Sequence, residues 1–117
     1  MAYRTLSRFR KEAWSTAADG LLTEVALRQK LLLWRFEGAS DTYAPQTRLP
    51  DQNDRRERVR AILSGHLRVT VEGQCLDLKP GDTLFIPAGT NCSFEVIGQE
   101  PVVCYAGTSH MEAAKTA

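Results

Sequence analysis

The sequence reads as an all-β domain, a sandwich or barrel, preceded by one short helix. Three observations carry this reading. From Glu57 onward the chain falls into runs of four to eight residues rich in alternating apolar positions. Gly and Pro turns separate these runs at intervals of about ten residues, the signature of short antiparallel strands. The whole chain has 117 residues, 43% apolar and 25% charged, which is enough for one globular domain and leaves no room for a second.

The elements follow in order. Leu6, Phe9 and Ala13 fall at helical spacing, with Arg8, Lys11 and Glu12 on other faces, so a helix is expected over 5–18, ended by Asp19-Gly20. Residues 1–20 then form an N-terminal helical segment, 21–106 the barrel and 107–117 a tail, loose or briefly helical through Met111, Ala113 and Ala114. Leu22, Val25 and Leu27 suggest a first strand. Lys30 to Phe36 suggest a second, with Leu31, Leu33 and Arg35 on one face and Leu32, Trp34 and Phe36 on the other. A strand apolar on both faces sits between layers or at a subunit contact, so a homodimer is expected.

Residues 37–56 read as a long loop, punctuated by Gly38, Pro45 and Pro50 and by Asp51-Gln52-Asn53-Asp54. Long loops in compact domains tend to be lids or binding loops, and Tyr43 stands in this one. Strands are then expected at Glu57–Ser64, His66–Glu72, Gln74–Leu78, Thr83–Ile86, Cys92–Ile97 and Val102–Ala106. Glu72-Gly73 is a tight hairpin turn between two of them.

Charge narrows the function classes. Net charge is +1, which argues against nucleic acid or a membrane surface as partner. The first sixty residues carry twelve Lys and Arg against eight Asp and Glu, and the remainder three against six. The densest basic run is Arg55-Arg56-Glu57-Arg58-Val59-Arg60. No aromatic residue interleaves there to stack a base, and Asp51, Asp54 and Glu57 sit among the arginines, so the run reads as a solvated edge. The longest apolar run, Leu31–Trp34, is far too short to cross a bilayer. Arg4, Arg8, Arg10, Lys11 and Glu12 interrupt any signal-peptide core, and a soluble cytoplasmic protein is expected. Cys75, Cys92 and Cys104 form no CxxC pair and suit reduced thiols better than a disulfide framework or a zinc site.

The stretch Ile62–Gly73, followed by Leu78-Lys79-Pro80-Gly81-Asp82-Thr83-Leu84-Phe85-Ile86-Pro87-Ala88-Gly89-Thr90, resembles the small single-domain cupins of the RmlC-like superfamily. Gly81, Pro87 and Gly89 fall at the spacing of that family's second motif, G-x5-P-x-G-x2-H-x3-N. Trp14, Gly20 and Leu33-Trp34-Arg35-Phe36-Glu37-Gly38-Ala39 resemble the approach to its first motif. The resemblance implies a cupin-type double-stranded β-helix, a jelly-roll barrel of two antiparallel sheets. Metal-binding cupins use three His and one Glu. Here the corresponding positions hold Ala44, Gln46, Arg58 and Cys92, and the motif's Asn position holds Val96. His66 and His110 are the chain's histidines and neither falls in the motif, so neither metal nor cofactor is expected.

Several residues are candidates for function. Cys92 takes a position that the resemblance aims into the barrel mouth. It is either a nucleophilic or redox thiol, which needs a nearby base or cation, or an inert space-filling residue. Arg58 and Arg60 share one face of their strand. The family register sends them inward, whereas Val59, Ala61 and Leu63 form the better core face, and a one-residue slip inverts the choice. Inward arginines would require anionic company, which a carboxylate or phosphate ligand supplies through bidentate hydrogen bonds. With Tyr43 and Gln46, these residues make the candidate ligand site. Cys92, Tyr43 and Glu57 are the candidate catalytic groups. His66 and His110 read as surface residues, and Trp34 and Tyr105 as core, interface or pocket lining. The leading expectation is a small-molecule-binding barrel without the usual metal. The alternatives are a metal-independent isomerase, cyclase or lyase, and a structural dimerisation module.

Overall fold

The computed structural model describes residues 10–112, with side chains as far as Ser109. The elements are β1 (Arg10–Ala13), α1 (Thr16–Asp19), α2 (Glu24–Leu33), β2 (Phe36–Tyr43), β3 (Arg48–Gln52), β4 (Arg56–Ser64), β5 (Leu67–Val71), β6 (Gln74–Leu78), β7 (Asp82–Ile86), β8 (Cys92–Val96) and β9 (Val102–Glu112). They build two antiparallel sheets, one in the order β1-β7-β4-β9-β2 and the other in the order β3-β8-β5-β6. This is the jelly-roll barrel that the cupin resemblance implies.

Two apolar cores hold it together. The first lies between the sheets and contains Ile62, Leu67, Val69, Val71, Leu84, Ile86, Phe94, Val96 and Val102, joined by Cys92 and Cys104. The second lies outside the five-stranded sheet, where Leu27 and Leu31 of α2 pack on Phe36, Val59, Ala61, Phe85 and Tyr105. On β5, strict alternation buries Leu67, Val69 and Val71 and leaves Arg68 and Thr70 half-buried, as a strand with one face on a core must. On β4 both faces are buried, Ile62 toward the first core and Val59 and Ala61 toward the second. The β5–β6 hairpin turns through Glu72 at φ 50° and Gly73 at φ 81°, the paired positive angles of a two-residue hairpin loop.

The N-terminal expectations need correction. Residues 10–13 form no helix but strand β1, paired with β7 from Arg10↔Phe85 to Ala13↔Asp82. Leu6 and Phe9, which carried the helical spacing, lie outside the described residues. A single short turn of helix, Thr16–Asp19, remains, with the Ser15 hydroxyl accepting from the Ala18 N–H. Residues 22–36 are not two strands. Glu24–Leu33 is one helix, capped by the Thr23 hydroxyl, which accepts from the Ala26 N–H. Its composition favours that outcome, since Glu, Ala, Leu, Arg, Gln and Lys are good helix formers and only Val25 is β-branched. Leu27 and Leu31, four apart, are buried on one face, while Leu33 is left 82% exposed. The two-faced strand on which the dimer was expected is therefore absent.

The stretch 37–56 is not a long loop, because it contains β2 and β3. Phe36–Tyr43 pairs residue for residue with Ser109–Val102 of β9. These are edge strands whose exposed polar side chains mimic loop composition. β9 continues to Glu112, so residues 107–112 belong to the sheet rather than to a tail. Backbone pairing carries both ends of the chain further into the barrel than apolar patterning alone suggests. No helix among the described residues is long and apolar enough to cross a membrane.

Candidate functional site

The facing of β4 decides the site. Because Val59 and Ala61 turn outward to α2, Arg58 and Arg60 turn in between the sheets, where they are 9% and 8% exposed. They border an open cleft of about 290 Å³, lined also by Glu37, Gln52, Asp54, Ile86 and Thr108. Gly38, Val59, Ala106 and Gly107 complete its wall. A Cβ on Gly38 would run into the Ala106 carbonyl and the Gly107 backbone. The Tyr105 hydroxyl pins Gly38 in place, accepting from its N–H and donating to its C=O, both at 3.0 Å.

The two guanidinium groups are held differently. Arg60 donates from Nη1 to the Tyr43 hydroxyl at 2.7 Å, and Cys104 Sγ lies 4.0 Å away. Its charge sits over the Phe94 ring at 4.3 Å. Tyr43 in turn donates to the Asp41 carboxylate at 3.2 Å. Arg60 is thus clamped on several sides. Arg58 donates from Nη2 to the Thr90 carbonyl at 2.6 Å, and its buried Nε has no partner. Among the described residues no carboxylate forms an ion pair with either guanidinium.

The groups around these cations are neutral at pH 7. Burial pushes the Cys92 thiol up, against the opposing pull of Arg58 and Arg60. Burial likewise raises the Cys104 thiol and the Tyr43 phenol. A carboxylate, Asp54, also lines the cleft. A hydrogen bond from the Arg56 N–H holds its carboxyl below the usual range, and the charges of Arg56 and Arg58 act in the same direction. The loop carrying Asp54 is tied to the β7–β8 loop. Gly89 N–H donates to the Asp54 carbonyl at 2.7 Å, and the Asn53 amide donates to the Gly89 carbonyl and to the Asn91 side chain.

Of the residues singled out from sequence, Arg58, Arg60, Cys92 and Tyr43 come together. Cys92 is fully buried in the first core rather than open to the cleft. Gln46 stands apart, exposed in the β2–β3 turn at φ 68°, beside an outer groove with Arg48 and Glu95. Glu57 is exposed and faces away from Arg58. Asp82 accepts from the Lys79 N–H and faces Lys11. His66 is half-buried with Asp77 at 3.6 Å, and the side chain of His110 lies outside the described residues. Tyr105 is core, and Trp34 packs against Phe85 with the rings tilted and their centroids 5.5 Å apart. Glu37, Gln52 and Thr108 carry no sequence signal of their own, because each lies in a stretch whose strand character the composition hides. Among the described residues, no three His, Cys, Asp or Glu side chains gather as a metal-binding group.

The chain's resemblances agree with this architecture. The profile of the family described as "Cupin domain" matches residues 40–107. The cupin domain of Cnp3 from Schizosaccharomyces pombe superposes with a TM-score of 0.61 at 19% identity, covering 86% of this chain and 64% of that one. A DUF861-family protein from Thermotoga maritima gives 0.56 at 20% identity, covering 86% of this chain and 99% of its own. The salicylate 1,2-dioxygenase of Pseudaminobacter salicylatoxidans gives 0.55 at 16%, covering 60% of this chain and only 20% of the enzyme. Likeness at such identities is likeness of fold. No curated protein matches the chain.

Proposed function

The chain belongs to the cupin family, and from that premise we propose that its barrel binds a small carboxylate-bearing molecule through Arg58, without the family's usual metal. One observation carries this reading. A guanidinium nine-tenths buried, with an unpartnered Nε and no carboxylate paired to it, lines an open cleft. Burying a charge without company costs several kcal/mol, and an anion accepting hydrogen bonds from it removes that cost. The donor set does not suit a divalent cation. Two fixed positive charges stand at the inner end of the cleft, and Cys92, whose thiolate would be the ligand, is held protonated by burial.

The same geometry favours binding over catalysis. Cys92 is fully buried and held protonated, so its thiol is not activated. The Tyr43 hydroxyl is engaged on both sides by Arg60 and Asp41. Glu57 faces solvent. No acid–base pair converges on the cleft from these groups. Native mass spectrometry of gently purified protein tests the proposal. A small acidic molecule should accompany the wild-type chain and be absent from Arg58→Met. Retention of the same molecule by a folded Arg58→Met protein would defeat it, as would failure of the wild type to take up any carboxylate added at millimolar concentration.

A further inference from the structure

Two neutral side chains of the cleft, Gln52 and Thr108, are uncommitted. Both are half-buried and line it with Arg58, and neither makes a side-chain hydrogen bond among the described residues. Their placement follows from the pairing. Thr108 of β9 stands directly opposite Arg58 of β4, and such partners face the same side with Cβ atoms about 5 Å apart. Gln52 is paired with Cys92 of β8, which faces the first core, so Gln52 turns inward from the other sheet. The cleft therefore sets a hydroxyl beside Arg58, whose Nε is unpartnered, and a primary amide across from it. The carboxylates on the cleft are already taken. Asp54 is paired with Arg56, and Glu37 has an interaction of its own.

A ligand that satisfies these groups needs two kinds of oxygen. Arg60 is committed to Tyr43, so Arg58 is the cation on offer, and one guanidinium balances a monocarboxylate rather than a phosphate dianion. A bare carboxylate leaves the Thr108 hydroxyl and the Gln52 amide unpaired. A hydroxyl or carbonyl oxygen on the carbon next to the carboxylate reaches both, since each side chain can donate to it. A site whose polar groups are placed for a ligand oxygen rejects the analogue that lacks it. Ile86 and Ala106 offer only apolar surface, which suits a short alkyl group. The volume of about 290 Å³ is at the small end for a ligand pocket.

Resting on the anion-binding reading above, we infer that the ligand is a short 2-hydroxy- or 2-oxocarboxylate, its carboxylate on Arg58 and its second oxygen between Thr108 and Gln52.

Titration calorimetry on the full chain, stripped of any co-purified ligand by refolding, tests this with probes matched in size. Lactate and pyruvate are compared with propionate, glycolate with acetate, and all of them with inorganic phosphate. The better of lactate and pyruvate should bind at least about tenfold more tightly than propionate, a difference of ~1.4 kcal/mol, and their order tells hydroxyl from carbonyl. Thr108→Val combined with Gln52→Leu should erase that ratio while leaving the affinity for propionate within about twofold. Thr108→Ser, which keeps the hydroxyl, should preserve it. Arg58→Met, shown folded by circular dichroism, should lose every probe. Arg58-dependent binding of propionate or phosphate as tight as that of lactate and pyruvate overturns the second oxygen and leaves the anion site standing. So does a preference for lactate or pyruvate that survives the loss of Thr108 and Gln52. Absence of any Arg58-dependent binding overturns both readings.

Discussion

Replacing Arg58 by Met should stabilise the ligand-free protein. The guanidinium is 9% exposed, its Nε is unpartnered, and its one hydrogen bond, to the Thr90 carbonyl, is 2.6 Å long. Exchanging buried ionic groups for apolar ones of similar size is often worth ~1–4 kcal/mol in stability. The lost charge-assisted bond to Thr90 subtracts ~1.5–3 kcal/mol from the upper part of that range. A net gain of about 1 kcal/mol is expected, or roughly 4 °C in Tm for a domain of this size. The assay is differential scanning calorimetry of both proteins after refolding from denaturant and exhaustive dialysis. Adding a ligand at a hundred times its Kd should then raise the wild type by ~2.7 kcal/mol and reverse the order of the two. If ligand-free Arg58→Met melts more than about 4 °C below wild type, the guanidinium is already compensated by the protein itself, and the reasoning that assigns it to a ligand fails.

Other consequences are equally direct. Tyr43→Phe removes the acceptor for Arg60 Nη1 and should cost about 1–3 kcal/mol in urea unfolding, whereas an unchanged midpoint would show that Tyr43 does not hold Arg60. Iodoacetamide should add once to the native chain, at the exposed Cys75, and at Cys92 and Cys104 only after unfolding; rapid native labelling of Cys92, read by peptide mass spectrometry, would contradict its burial. Gly38→Ala should lower the unfolding midpoint and weaken carboxylate binding together, because the new methyl displaces β9 at the wall of the cleft. Lys30 donates to Asp19 at 2.8 Å and holds that carboxyl below its ordinary pKa. This contribution is present above the unfolded value, ~3.9, and is lost as pH falls through the lower folded one, so Lys30→Met should flatten the loss of stability below about pH 4.

The barrel from Arg56 to Val96 is legible in the sequence because apolar positions recur along each strand there and a Gly or Pro turn closes it. β5 is the clearest case, with its three buried residues separated by two polar ones. The N-terminal region is ambiguous for a physical reason. Leu31-Leu32-Leu33 is a continuous apolar run that carries no period, and its helical outcome depends on the Thr23 cap and on the core offered to Leu27 and Leu31. β2 and β3 escape notice because an edge strand needs a backbone partner more than an apolar face. The site is half legible. Gly81, Pro87 and Gly89 locate the barrel mouth, yet no alternation argument orients Arg58 and Arg60. Both faces of β4 are buried, so Val59 and Ala61 find their own core and the arginines are left to face the barrel.

That doubly covered strand has a dynamic consequence. β4 is hydrogen-bonded on both sides, to β7 and β9, and has a core above and a core below. Its central amides can meet solvent only when the whole domain opens, so their exchange with deuterium should report global unfolding rather than local fluctuation. The arginines of the cleft are carried on this slowest part of the molecule. A ligand arriving there finds the main chain already fixed and has little disorder to remove, which leaves more of its contact energy as affinity. The same arrangement connects the site to a surface that it never touches. Loosening Leu27 or Leu31 under α2 would free β4 from behind, and the anion grip would weaken although every residue of the cleft remained in place.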